Sequence, residues 1–448
     1  MKFPYSFYFL IFYILGIIFA KINLSFFYFF LFLLLLVFVI NRKSKIYFYI
    51  TLIFLFLLGF YLYRISFPQF EVYSNAKLKS LTGIVEDSFE GKDFNSYVIK
   101  MEGFKEKGKL NIKNRKFEIG DKILLEGVGL YPLNQGNLYS LWDEDILYLI
   151  KAEKIYLIKR GYKNSLERIR NNLRNRISNV YSVFEDYKEQ FLLAIVMGER
   201  RGLSEDVKNL FVNTGTSHLL AISGLHLSFL INIFSALIPL RRILVRIVIL
   251  PLLVFYGWII GDNPPVWRVI GQYVFILLAF LLRREEDNLN AIFWVAFVNL
   301  VISPLKLFNV SFQLSYLAML GLLYKPNFSK FLPAYLQEIW ESSFWLMIFL
   351  APLNIYYFGS LKPISIIANF FAIPIFSLVL FFSFLYLIGF SLPMGFIFEK
   401  ILSKLIDILF ESLQLIGEHY KISLLISVSL ILLPVILRKR EENELLGV

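Results

Sequence analysis

Runs of about twenty apolar residues return along almost the whole of this chain, at 4–20, 23–40, 46–63, 217–240, 243–260, 266–282, 288–303, 309–324 and 342–358. Each is long enough as a helix to cross ~30 Å of hydrocarbon. Of the 448 residues, 57% are hydrophobic and 48 are phenylalanine, more apolar surface than a soluble interior of this size can hold. The reading that follows is a polytopic α-helical membrane protein of about ten to twelve spans. Residues 3–20 lead straight into another apolar run, which fits a retained first helix rather than a cleaved signal. The absence of cysteine excludes disulfides and thiolate metal sites.

The charge is +12. Part of it is orientation signal. Arg42, Lys43 and Lys45 place the loop at 41–45 in the cytoplasm, so the chain is outside after Arg64. The later loops agree, since Arg241, Arg242 and Arg246, and then Arg283 and Arg284, fall on the cytoplasmic side. The excess also suits anionic lipid or a polyanion such as nucleic acid.

Between 70 and 158 the character changes to short alternating stretches such as Leu81-Thr82-Gly83-Ile84-Val85 and Lys122-Ile123-Leu124-Leu125, divided by glycine and asparagine turns. This predicts an inserted extracytoplasmic small β-barrel, OB-like, which serves either as a single-strand binder or as a scaffold. From Lys159 to Arg176 there are seven cations (Lys159, Arg160, Lys163, Arg168, Arg170, Arg174 and Arg176) against one acid, Glu167. Leu166, Ile169, Leu173 and Ile177 give an apolar stripe, so the segment reads as a basic amphipathic helix. The domain plan is thus 1–64, N-terminal transmembrane helices; 70–158, barrel; 159–214, basic and short connecting helices; 215–440, a helical membrane domain.

The polar residues concentrate in Gly215-Thr216-Ser217-His218-Leu219-Leu220-Ala221-Ile222-Ser223-Gly224-Leu225-His226. Thr216 or Ser217 is expected to cap a span over 217–240, with Gly215 and Gly224 allowing another backbone close. On one helix His218 and His226 stand about 80° apart. No acid beside them completes a metal site, and Ser223 with a histidine would need a touching base to act as a nucleophile. Polar groups at membrane depth line a seam or a wet path. Further on, Arg268 follows Pro264 and Pro265 at a helix start, Ser311, Gln313 and Ser315 open a span, and Asn369 and Pro374 interrupt 365–390, as one broken span or two half-spans. The segment from 396 to 418 carries Glu399, Lys400, Lys404, Asp407 and Glu411 among its charges and is expected on the surface.

Gly198-Glu199-Arg200 followed by the stretch from Thr214 to His226 resembles the signature of the ComEC-type competence proteins. The resemblance continues through Tyr256, Gly261, Pro265 and Arg268, then Ser311 to Ser315, Phe358-Gly359, Asn369 and Pro374, and so covers about 185–380 in order. It implies a multi-pass channel of the bacterial inner membrane, without cofactor, passing single-stranded DNA into the cytoplasm during natural transformation. It also implies separate DNA receptor proteins and a separate cytoplasmic motor, since no phosphate loop is present. Many members carry a metallo-β-lactamase-like domain after the spans. This chain ends at Val448 without a histidine–aspartate cluster, so no nuclease activity is carried over, and a separate nuclease-domain protein becomes a possible partner. On this resemblance Ser217, His218, Ser223, His226, Arg268, Gln313 and Asn369 form the polar seam. Lys163, Arg168, Arg170, Arg174 and Arg176 gather the strand by phosphate contacts. The alternatives are an intramembrane enzyme using Ser223 with a histidine, and a transporter of lipid-linked or small anionic substrates.

Overall fold

The structure is a computed structural model and describes residues 4–21, 46–66, 77–89, 95–102, 107–113, 117, 120–132, 146–159, 165–237, 242–261, 263–285, 287–326, 333–391 and 394–419. The expected span at 23–40, the cationic loop at 41–45 and Lys163 lie outside the described residues, as do residues 422–440 of the expected membrane domain. The chain is mostly helical and divides into two compact units, residues 1–169 with 271–313, and residues 170–270 with 314–448.

The first unit holds helices α1 (Tyr5–Lys21) and α2 (Ile46–Ser66) and a β-barrel. Tyr13 of α1 is fully buried, and its hydroxyl donates to the carbonyl of Leu300 at 3.0 Å. That acceptor belongs to α9 (Asn288–Ile302), whose amino end is capped by the Asp287 carboxylate.

The barrel strands are β1 (Lys77–Phe89), β2 (Asn95–Met101), β3 (Lys107–Ile112), β4 (Lys122–Pro132), β5 (Ile146–Lys151) and β6 (Lys154–Lys159). Their pairing runs β1-β2-β3-β5-β4 and returns to β1, so five strands close on themselves, with β3 and β5 parallel. This order is that of an OB-like barrel. Closure works because alternate residues point inward. Leu81 and Val85 of β1, Tyr97, Ile99 and Met101 of β2, and Leu110 and Ile112 of β3 share one buried core with Ile123, Leu125, Val128 and Leu130 of β4. β6 continues along the open edge of β4 beyond the barrel, with Tyr156, Leu157 and Ile158 exposed.

The second unit begins in the course of α3 (Ser165–Tyr181) and continues through α4 (Asp186–Met197), α5 (Glu205–Asn213), α6 (Gly224–Leu237) and α7 (Arg242–Ile260). α8 (Pro264–Leu281) and α10 (Val310–Leu323) each run through both units. The remainder is α11 (Ala334–Phe349), α12 (Ala351–Phe358), α13 (Ser365–Gly389) and α14 (Gly395–Glu418). Its core joins Tyr181, Phe191, Phe211, Leu220, Phe376, Leu380, Leu402, Ile406 and Leu409, contributed by α3, α4, α5, α13, α14 and the turn before α6. Among the described residues, α8 and α13 have the length and apolar composition to cross a membrane. α1, α9, α10 and parts of α2, α6 and α7 are shorter apolar helices.

Several expectations change. The basic segment is not one helix, because Lys159 ends β6 and α3 starts at Ser165. Ile169 on the expected apolar stripe is 49% exposed, while Ile177 packs on the helical core. The run at 342–358 divides into α11 and α12 at Leu350, ahead of Pro352. α13 passes Pro374 as one continuous helix of 25 residues, not two half-spans. α14 does not lie on the surface alone. Leu402, Ile406, Leu409, Leu413 and Ile416 recur every three or four residues and enter the core, leaving the charges on the other face.

Candidate functional site

The stretch from Thr214 to His226 is not one helix. α5 ends at Asn213, Gly215 takes φ 70°, and Ser217–Leu219 forms a short 3-10 turn. Neither expected cap forms. Thr216 is buried with its hydroxyl 2.9 Å from that of Thr214, and Ser217 is exposed. The apolar residues explain the break. Leu219 and Leu220 go into the helical core and Ile222 is buried, which a straight helix from Ser217 would not allow. Gly215 is held close to the α13 start, where a Cβ would sit 2.8 Å from Ser365 Cβ and 2.9 Å from Lys362 Cβ.

α6 starts after Ser223, and His226 in its first turn reaches back. Nδ1 accepts the Ser223 backbone N–H at 3.1 Å and lies 3.0 Å from its hydroxyl. This is the returning half of a capping box, with histidine where glutamate or glutamine is usual. Because Nδ1 is the acceptor, the neutral ring carries its proton on Nε2. His226 is fully buried, its ring meets Phe376 edge-on at 5.3 Å between centroids, and Nε2 has no protein partner. The Ser223–His226 contact is therefore a helix cap. A serine nucleophile would need this nitrogen free to take its proton and the other one oriented by an acid.

His218 is not on α6, so the expected spacing around one helix does not apply. It is exposed on the 3-10 turn, close enough to act on the His226 ring electrostatically, as is Arg200. Arg200 sits in the turn after α4, where Gly198 ends the helix with φ 78°. That turn touches the second one, since a Cβ at Gly198 would lie 3.2 Å from Ile222 Cδ1. Arg200 is solvent-exposed, yet surrounding protein displaces enough water to pull its guanidinium below the ordinary value. Sequence reading quoted Arg200 only as part of a motif. Its link to His226 depends on two turns more than twenty residues apart.

Arg268, in the second turn of α8, is buried, and its Nε donates to Ser315 Oγ of α10 at 2.8 Å. Its Nη2 fills the space beside Gly224, 2.8 Å from where a Cβ would be. What comes close at Gly224 is thus a guanidinium, not the backbone expected there. Asn369 of α13 is buried and donates to Ser343 Oγ of α11 at 3.2 Å, while its Oδ1 has no protein partner. Gln313 donates to the Leu307 carbonyl at 2.8 Å within the first unit. Among the seam residues of the second unit, Ser223 meets His226, Arg268 meets Ser315 and Asn369 meets Ser343, while Ser217 and His218 lie exposed on the 3-10 turn.

The basic helix differs most from expectation. Arg170 donates from Nε and Nη2 to the carbonyls of Ile259 and Ile260, each at 3.1 Å. Arg174 donates from Nη2 and Nε to Glu199 Oε1 at 2.6 and 3.1 Å, and from Nη1 to Ile259 at 3.1 Å. The last carbonyls of α7 have no partners within their helix and carry its negative dipole end, so two guanidinium groups satisfy them. These two cations are committed to the protein and do not form an open phosphate-gathering face. Arg176 is exposed on the same helix.

A family model described as competence protein matches residues 195–437, more than half of the chain. Recombination protein 2 of Haemophilus influenzae is 31% identical over 214 residues, covering 42% of this chain and 27% of that protein. An uncharacterized protein of Aquifex aeolicus is 30% identical over 182 residues, 39% of this chain and 43% of its own length. ComE operon protein 3 of Bacillus subtilis is 27% identical over 187 residues, 41% of this chain and 24% of that one. The matched stretch thus amounts to less than half the length of each of these relatives. No solved structure matches the chain at a significant level.

Proposed function

Since this chain belongs to the competence protein family, we propose that it is a multi-pass channel of the bacterial inner membrane that passes single-stranded DNA into the cytoplasm during natural transformation. Membership of the family supports a role in DNA uptake; the channel and its single-stranded cargo are our own reading. The observation that carries it is that two donor-bearing side chains, His226 and Arg268, are buried inside an apolar helical unit, with His226 Nε2 unmet by the protein. Burying such groups is costly unless something anionic or wet meets them. A simple anchor needs none of them.

In this reading residues 1–64 anchor the chain, and the barrel within 70–158 lies outside the cytoplasm and meets the strand first. Residues 159–214 connect it to the conducting domain at 215–440. Binding along the strand is electrostatic and indifferent to sequence. Force comes from a separate cytoplasmic motor, and DNA is delivered by receptor proteins.

The test uses the full chain in sealed proteoliposomes holding a trapped single-strand-binding protein. Externally added fluorescent oligothymidylate is expected to become resistant to added nuclease, and a duplex of the same length is not. Equal protection of both, or protection no greater than in protein-free vesicles, would overturn the channel.

A further inference from the structure

We propose that Arg200 and the Nε2–H of His226 form a subsite for one phosphodiester oxyanion of the passing strand. The inference rests on the channel reading above and adds the residues that would meet a phosphate.

His226 is the centre of the argument. Its Nδ1 is occupied by the Ser223 N–H, which fixes the proton on Nε2 and turns that donor away from the helix cap. The donor is buried and has no protein partner, and such groups are rare in folded chains. Phe376 closes one side of the ring with an apolar edge. Arg200, exposed on the turn after α4, acts on this ring electrostatically. A guanidinium offers donors only, and α6, 14 residues long, adds the positive end of its dipole at the same place. Neither side chain supplies a carboxylate. An oxyanion that enters beside Arg200 would therefore find the missing partner of Nε2 at its inner end.

The cap provides a way to separate binding from folding. Glutamine and glutamate at position 226 can both accept the Ser223 N–H, as in ordinary capping boxes. Glutamine also presents an amide donor, whereas glutamate presents an anion. The full chain in nanodiscs of uncharged lipid is titrated with labelled oligothymidylate, and with the same strand carrying neutral methylphosphonate links. His226→Glu should weaken the phosphodiester strand about tenfold, the loss of one hydrogen bond to a charged group, while His226→Gln retains most of the affinity. Arg200→Gln should also lower the slope of log affinity against log salt by about 0.7, one phosphate contact on a single strand, and His226→Gln should leave that slope alone. No variant should affect the methylphosphonate strand. Should His226→Glu bind like the parent, or the variants weaken both strands equally, the subsite is wrong and the channel reading stands. Should the parent chain retain no strand at low salt, both fall. A dependence on His226 that appears only when phosphatidylglycerol is added to the nanodisc would assign the subsite to a lipid headgroup and overturn the strand.

Discussion

Arg174 and Glu199 are joined through a single carboxylate oxygen, which accepts from both Nη2 at 2.6 Å and Nε at 3.1 Å of the guanidinium. The third nitrogen of Arg174 reaches the end of α7. One side chain thus ties α3 to the turn carrying Arg200 and to a helix terminus at once. Glu199→Gln should lower the melting temperature of the full chain, with a loss on the order of 1 kcal/mol for a half-exposed pair. Arg174→Lys should not preserve stability, because one ammonium cannot serve acceptors on two elements as a planar fork does. Thermal unfolding in detergent checks both.

The basic helix should separate into structural and binding cations. Arg170→Gln is expected to destabilise the chain, since it strips donors from the Ile259 and Ile260 carbonyls. Arg176→Glu, at an exposed site, should leave the melting temperature within about 0.5 kcal/mol equivalent and reduce strand affinity together with its salt slope. The reverse pattern would remove α3 from strand gathering.

Gly224 and Arg268 should be energetically coupled. An added methyl at Gly224 meets Nη2 at 2.8 Å, and that guanidinium is already held by Ser315. Gly224→Ala should therefore cost stability in the parent chain and much less beside Arg268→Gln, whose shorter side chain vacates the space. A double-mutant cycle on melting temperature should give a coupling on the order of 1 kcal/mol, and additivity would disprove the contact.

Lys188 of α4 and Asp407 of α14 set a pH dependence. Lys188 Nζ lies 2.8 Å from the carboxylate and 2.8 Å from Ser403 Oγ, and the Tyr187 hydroxyl donates to the same carboxylate at 2.9 Å. Burial by itself pulls the ammonium down, but the bond to Asp407 and its charge outweigh this, and the Lys188 pKa stands above the ordinary lysine value. A raised pKa contributes stability that is complete below the unfolded value, near 10.4, and is lost as pH rises through the folded one. The parent chain should lose stability in that alkaline range. Asp407→Asn should start lower and show a flatter alkaline limb, and parallel curves would exclude the pair as the cause.

Helix ends and the barrel were legible from local pattern. The start of α8 at Pro264 follows from proline geometry. The alternating stretches from Leu81 to Glu126 became strands because one face had a core to enter. Hydropathy failed between Ser217 and Ser223, where an apolar run was read as the opening of a span. Leu219 and Leu220 are as apolar as any lipid-facing pair, and their burial against α13 and α14 carries no local sign. The same holds for Arg170 and Arg174, whose charge is plain in the chain while the carbonyls they satisfy lie 85 to 90 residues away.

Residue order alone established an apolar helical chain with an inserted β-barrel and a motif rich in donors, because periodicity, turn residues and composition act over a few positions. Packing decided that His226 closes a helix cap and leaves Nε2 unmet, that Arg268 occupies the space at Gly224, and that two arginines end α7 rather than face outward. Those outcomes depend on which distant groups arrive within 3 Å of one another, and that distance is set by how whole elements bury their apolar faces.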